Sequence, residues 1–164
     1  MKKKMVKALN DQMNVELFSA YLYFSMSTYF RDKNLNGFTH WMELQVQEEL
    51  THAQKLSNYI SERRGTVILE AIEKPKHSWK SPLDAFENAF EHEKMISKRI
   101  NDLVKLAREE NDNATYNFLQ WFVSEQVEEE STVDAIVQNL KLIDGFGPGL
   151  FILDKDMNSR SLQE

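Results

Sequence analysis

The sequence predicts an all-α fold: a bundle of four long helices with one long crossover between the second and third, then a short fifth helix at the C-terminus. Three observations predict it. Apolar residues recur at steps of three and four through four long segments. The glycines (Gly37, Gly65, Gly145, Gly147, Gly149) and prolines (Pro75, Pro82, Pro148) all lie at segment edges, and these are the strongest helix breakers. The connections run short, long, short, which makes two antiparallel pairs joined by a crossover.

The first helix is expected from about Met5 to Lys33, and a tight turn leads into the second, from Asn36 to about Arg64. Each long helix holds about 28 residues and so spans roughly 42 Å at ~1.5 Å per residue. The connection from Gly65 to Ser81 has about 17 residues and extends to at most ~58 Å, enough to return along the whole bundle. The third helix opens at Ser81-Pro82-Leu83-Asp84, with serine at the cap, proline at the first helical position and an acid in the first turn. It ends near Glu110, Asn111-Asp112-Asn113 turns the chain, and the fourth helix runs to about Asp144-Gly145. The fifth starts at Pro148, with Leu150, Leu153 and Met157 on one stripe. The chain reads as one domain over residues 1–164, the bundle at about 5–144 and the short helix at about 148–158.

With 164 residues, 41% hydrophobic and 28% charged, the chain has the composition of a globular protein with a sizeable core. Its net charge of −6 disfavours nucleic acid as a partner and suits cations. It has no cysteine, which excludes disulfides and thiolate metal sites and suits a reducing cytoplasm. The basic start MKKKMVKALND lacks the apolar run of a signal peptide. No stretch reaches the ~18 apolar residues that a membrane span needs.

The helix seams carry the chemistry. The first reads Val6, Leu9, Met13, Glu16, Ala20, Tyr23, Ser27, Phe30, and the second Phe38, Met42, Gln45, Glu49, His52, Leu56, Tyr59. The third reads Phe86, Ala89, Glu93, Ile96, Ile100, Leu103, Ala107, and the fourth Leu119, Phe122, Gln126, Glu129, Val133, Ile136, Leu140. Each is apolar at both ends and acidic in the middle. Counted from the turns, Glu16, Glu49, His52, Glu93 and Glu129 fall in one layer, within about 6 Å along the bundle axis. One mid-helix glutamate in a seam is ordinarily a mis-registered surface residue; four at a common height are not. No lysine or arginine occupies a seam, and each unpaired buried charge costs several kcal/mol. A multivalent cation offsets that cost and turns the acids into ligands.

Carboxylates with one nitrogen donor suit iron or manganese, with zinc as an intruder. Four glutamates balance two divalent ions, with Glu49 the natural bridge. Glu48, Glu125 and Glu128 flank the seam as a candidate outer, weaker site. His40, His77 and His92 read as structural or surface residues, Trp121 as packing, and Glu130 as solvated. Tyr23 reads equally as core packing or as a redox or hydrogen-bonding partner of the metals.

In LNDQMNVELFSAYLY, GFTHWMELQVQEELTHAQKL, the EHEK of the third helix and FLQWFVSEQVEEE, the chain resembles the bacterial non-haem ferritins over nearly its whole length. The resemblance implies a ferritin-like bundle in which Glu16, Glu49 and His52 hold one ferroxidase iron. It further implies that Glu49 bridges to a second iron held by Glu93 and Glu129, with Gln126 close by. Glu48, Glu125, Glu128 and Glu129 match a third iron site, and Tyr23 matches a tyrosine beside the centre. The residue three after Glu129 is Thr132, so the second Glu-x-x-His of symmetric di-iron bundles is absent. The haem-binding methionine that a resemblance to bacterioferritins would place near Ser57 or earlier in the second helix has no convincing equivalent, and no haem is expected.

The function expected on this basis is iron storage and detoxification. As a ferroxidase, the chain would oxidise Fe2+ to Fe3+ with O2 or peroxide and deposit ferric oxide in a hollow shell. The resemblance implies a homo-oligomer of 24 subunits with the short helices gathered at the four-fold axes. The nearly all-round apolar run VELFSAYLYFSMSTYF, the extended Thr66-Val67-Ile68-Leu69 strip and the short PGLFILDKDM helix support an oligomer by themselves. Two rivals stand beside it: a di-iron oxygenase or peroxidase acting on a small substrate, and a metal-free structural bundle.

Overall fold

The computed structural model describes residues 1–145 and 147–161. Its helices are α1 (Lys3–Asp32), α2 (Asn36–Glu62), α3 (Pro82–Glu109), α4 (Asn113–Ile143) and α5 (Gly147–Met157), each bound within two residues of the expected one. α1 packs on α2 and α3 on α4; α1 also meets α3, and α5 lies against α2 and α4. At one end Lys2 Nζ donates to the Glu110 carbonyl (3.4 Å), and Arg63 bridges to Asp112 (3.2 Å). The start of α1, the ends of α2 and α3 and the start of α4 therefore share that end, so α1 and α4 point one way and α2 and α3 the other.

The helix ends follow local chemistry. Ser81 Oγ accepts from the Asp84 N–H (3.1 Å) with Pro82 in the first turn of α3, and Asp112 accepts from the Thr115 N–H (3.1 Å) at the start of α4. Asn34, Arg64 and Asn111 each adopt a left-handed conformation (φ 58°, 59° and 55°). The next N–H then turns back onto a carbonyl of the last turn: Leu35 to Phe30 (3.1 Å), Gly65 to Ile60 (2.8 Å) and Asp112 to Ala107 (2.9 Å). These are Schellman closures, and they make both hairpin turns short.

Every expected seam residue is buried except Val6 and Tyr59, which are half-buried. The apolar core falls into two clusters. One, around Tyr23, Phe30, Phe38, Phe86 and Val133, fills the end where α5 docks; the other, around Leu9, Met13, Leu56, Ile100 and Phe122, fills the opposite end. Between them lie Glu16, Gln45, Glu49, His52, Glu93, Gln126 and Glu129, all buried.

The crossover is held as if it were a strand beside a helix. Asn10 donates to the Thr66 carbonyl (3.0 Å) and accepts from the Ile68 N–H (2.7 Å). One helical turn on, Asn14 donates to the Ile68 carbonyl (2.8 Å) and accepts from the Glu70 N–H (2.8 Å). Two side-chain amides thus supply the edge that a neighbouring strand would, while Ile68, Leu69 and Ile72 stay exposed.

α5 is fixed at the start of α2. The Asp154 carboxylate accepts from the Phe38 N–H (3.0 Å), and a Cβ added to Gly37 would overlap the Asp154 carbonyl. Glycine at 37 is therefore required by close approach. Replacing Gly37 with alanine is expected to undock α5 and leave the four-helix bundle folded, read as new proteolytic cleavage confined to residues beyond 145. Replacing Asn10 with alanine leaves a backbone donor and acceptor of the crossover unpaired; the expected loss is about 1–3 kcal/mol in chemical denaturation.

Candidate metal centre

The layer between the two apolar clusters is built by four helices that each contribute a glutamate at mid-length. Oxygen and nitrogen atoms of Glu16, Glu49 and His52 lie within 4.8 Å of one another, and so do those of His52, Glu125 and Glu129. His52 belongs to both groups. Its Nδ1 is 3.4 Å from Glu49 Oε2 and its Nε2 is 3.9 Å from Glu125 Oε1. The imidazole therefore stands between the inner acids and the outer ones, steadied by the edges of Trp121 and Phe122 at centroid distances of 5.5 and 6.0 Å.

Glu93 completes the layer from α3. Tyr23 donates a short hydrogen bond to Glu93 Oε1, and Gln126 Nε2 donates to Glu93 Oε2 (3.1 Å) and to its carbonyl (3.3 Å). Glu129 accepts from Gln45 Nε2 (3.0 Å), and Glu16 accepts from Gln12 Nε2 (2.8 Å). Behind Gln12 stands Arg99, whose Nε donates to Gln12 Oε1 (2.8 Å). The acids are thus aimed by neutral amides and a phenol, which orient a carboxylate without cancelling its charge. The second oxygen of Glu16 is buried with no hydrogen-bond partner, and an orphaned buried acceptor of this kind needs a proton or a cation.

The electrostatics agree. Burial pushes the Glu16 carboxyl up to about 7 and Glu129 up to about 8, and the charge of Glu93 adds to both. Burial raises Glu49 well above the usual carboxylate range, with Glu93, Glu16 and Glu129 all contributing; Glu93 is raised as well. The acids sense one another, so they form one electrostatic unit. Burial lowers His52 to about 4 and keeps its ring neutral, the form in which it can act as a ligand. The Tyr23 hydroxyl is driven well above its ordinary value by burial and the nearby carboxylates, so it stays a proton donor.

The outer acids face a cavity of about 800 Å³, lined among others by Glu48, His52, Trp121, Glu125, Glu128 and Arg160. Burial raises Glu48 and Glu125. The expected separation of an inner layer and an outer acidic flank is visible here, with Glu129 and His52 at the boundary.

The remaining expectations divide. His92 is buried, with Nε2 2.8 Å from Ser19 Oγ and its ring 6.2 Å from that of Tyr23; it packs behind the layer. His40 meets the Arg160 carbonyl (3.0 Å) and His77 is exposed. Trp121 packs on His52 and Phe122 as expected, and its partly exposed ring carries Lys55 Nζ 3.6 Å above it. Glu130 is not solvated as expected: it is half-buried and accepts a short hydrogen bond from Ser97 at the α3–α4 contact. The sequence by itself does not single out Gln12, Arg99 or Arg160. Gln12 sits four residues before Glu16, a spacing that places both on one helix face; nothing in the sequence joins Arg99 or Arg160 to these acids.

A family model for the ferritin-like domain matches residues 6–143 of the chain. The chain is 41% identical to a bacterial non-heme ferritin of Campylobacter jejuni over 160 residues, covering 98% of this chain and 96% of that one. It is also 41% identical to a bacterial non-heme ferritin of Bacteroides fragilis over 157 residues, covering 96% of this chain and 98% of that one. Among solved structures, an open-pore ferritin from the hyperthermophilic archaeon Archaeoglobus fulgidus superimposes with a TM-score of 0.97 at 52% identity, covering 98% of this chain and 99% of that one. The chain belongs to the ferritin-like family of four-helix bundles.

Proposed function

We propose that this chain stores and detoxifies iron, and that its buried acidic layer is a two-iron ferroxidase centre. The observation that carries the proposal is the set of four glutamates and one neutral histidine buried at one level, with an acceptor oxygen of Glu16 that, among the described residues, only a protonated Glu49 could satisfy. Family membership supports the same reading.

Iron is the substrate. Glu16, Glu49 and His52 hold one Fe2+, and Glu49 bridges to a second held by Glu93 and Glu129, with Gln126 beside it. Each Fe2+ gives up one electron; the two together reduce O2 to hydrogen peroxide with uptake of two protons, or peroxide to water. Holding the two donors side by side makes the two-electron step one event, and hard carboxylates favour the ferric product. Tyr23 and Gln126 each hold one oxygen of Glu93, so that carboxylate is oriented before iron binds. Glu48, Glu125, Glu128 and Glu129 form the third, outer site through which iron leaves towards mineral.

Storage requires a container. Tyr21 and Phe24 on α1, Ile68, Leu69 and Ile72 of the crossover, and Phe151 and Ile152 of α5 are exposed, large apolar side chains of the kind that contacts between subunits cover. We infer that further copies of the chain cover it, in a shell of 24. No helix among the described residues is long and apolar enough to cross a membrane. The large cavity beside the outer acids favours one second reading, oxygenation of a small organic substrate. Its acidic lining suits cations better.

Replacing Glu49 with alanine is expected to lower the initial rate of Fe2+ oxidation by at least about a hundredfold while gel filtration still shows the assembled oligomer. Unchanged oxidation in that variant would falsify the centre. A small oligomer that turns over an organic substrate would instead favour the second reading.

Protons and cations compete for the layer. Glu16 and Glu129 rise from 4.5 to about 7 and about 8 on folding, so the metal-free fold binds excess protons across that window. By linkage its stability falls as pH rises through it. His52 and His92, lowered from 6.5 to about 4, act in the opposite sense, but only below pH 6.5. The Tm of metal-free protein is therefore expected to fall between about pH 6.5 and 8. Saturating Zn2+ should reverse the trend, and Glu129→Gln should flatten it. A metal-free Tm that climbs with pH over this range sinks the protonated-layer account.

A further inference from the structure

One of the outer acids, Glu48, is not left to solvent: an arginine from beyond α5 is seated on it. Arg160 Nη2 lies 2.5 Å from Glu48 Oε2, and the two side chains are only 19% and 18% exposed. Arg160 Nη1 donates to the Trp41 carbonyl (3.3 Å), and its guanidinium lies 4.4 Å above the Trp41 ring. Its own carbonyl meets His40 Nε2 (3.0 Å). Four contacts, two of them through the backbone, hold one residue in place. A loosely tethered surface arginine would show no such fixed seat.

Glu48, Glu125 and Glu128 line the same cavity as Arg160. A guanidinium and a metal ion make incompatible demands on Glu48: each needs its oxygens, and two cations at such short range repel. Because the arginine is attached a few residues beyond a docked helix, its effective concentration at Glu48 is high and independent of the protein concentration. A metal ion must displace it, and the apparent affinity then falls by the fraction of chains in which Glu48 is free.

We propose that Arg160 is a tethered competitor for the outer metal site, setting it weaker than the inner centre and expelling its ion when the arginine returns. It is a residue that determines the order of filling. The inner layer fills first because, among the described residues, no lysine or arginine forms an ion pair with Glu16, Glu49 or Glu93, whereas Arg160 pairs with Glu48. The outer site fills last, and its filling lifts Arg160 off Trp41. This rests on the outer acids being a metal site, as proposed above. It also gives a physical reason for that site to be transient: an ion held without a competitor would stay, and iron could not move on.

Tb3+ is a suitable probe, redox-inert and hard, and excited through tryptophan; Trp121 lines the cavity and Trp41 lies beneath the arginine. Titrating the assembled protein should resolve a tighter and a weaker step. In Arg160→Gln the weaker step is expected to tighten roughly tenfold with the tighter step unchanged, and Arg160→Lys should fall between the two. In the wild type alone, the weaker step should coincide with a change in Trp41 emission. Circular dichroism and Tm of Arg160→Gln should match the wild type, since α5 stays docked through Asp154. An unchanged or loosened weaker step in Arg160→Gln overturns the competitor role while leaving the outer site standing. A weaker step that survives Glu48→Gln in both backgrounds overturns the outer-site assignment and this proposal with it.

Discussion

The constraint on which the molecule turns is the desolvation of four carboxylates brought to one level inside a bundle, to which their mutual repulsion adds. In water the groups would cost nothing; between two apolar clusters burial raises their proton affinity, and neighbouring glutamates raise it further. The layer can be neutralised by protons or by multivalent cations, and the bundle's ends make the choice sharp by excluding water from either side. The two clusters are therefore part of the chemistry as much as of the stability. They hold the helices at a spacing that the acidic layer, by itself, would force apart.

What surrounds the acids is chosen for direction over charge. Gln12, Gln45, Gln126 and Tyr23 each donate to a buried glutamate. A lysine or arginine in any of these places would satisfy the acid fully and leave nothing for a cation. The positive side chains stay one step out: Arg99 acts through Gln12, Lys55 sits on Trp121, and Arg160 pairs with an outer acid. Attraction for cations thus survives in the centre and is graded toward the surface.

The rest of the fold serves to keep that layer in register. Schellman turns at Asn34 and Asn111 make both hairpins short, so that residues equidistant from a turn face each other. The crossover is pinned by two asparagine amides, and α5 by the contact of Asp154 with the start of α2. Each device uses backbone groups that would otherwise go unpaired, and together they leave the outward faces of α1, the crossover and α5 apolar and open to further copies.

Much of this could be read without coordinates. Breaker placement and three–four periodicity determined the five helices, because both act within a turn or two of chain. The height of Glu16, Glu49, His52, Glu93 and Glu129 followed as well, since helical rise is constant and the hairpins are tight. Contacts across unrelated stretches were out of reach. Arg160 meets Glu48 from 112 residues away, and Asp154 meets Phe38 from 116. Glu130 was misplaced in solvent because helix periodicity gives the angle of a side chain but not what the neighbouring helix offers it; Ser97 reaches it from α3. Local geometry is written in the sequence because its causes are local. Which donor finally meets which acceptor is decided only when separate helices are pressed together and side chains compete for the same buried partners.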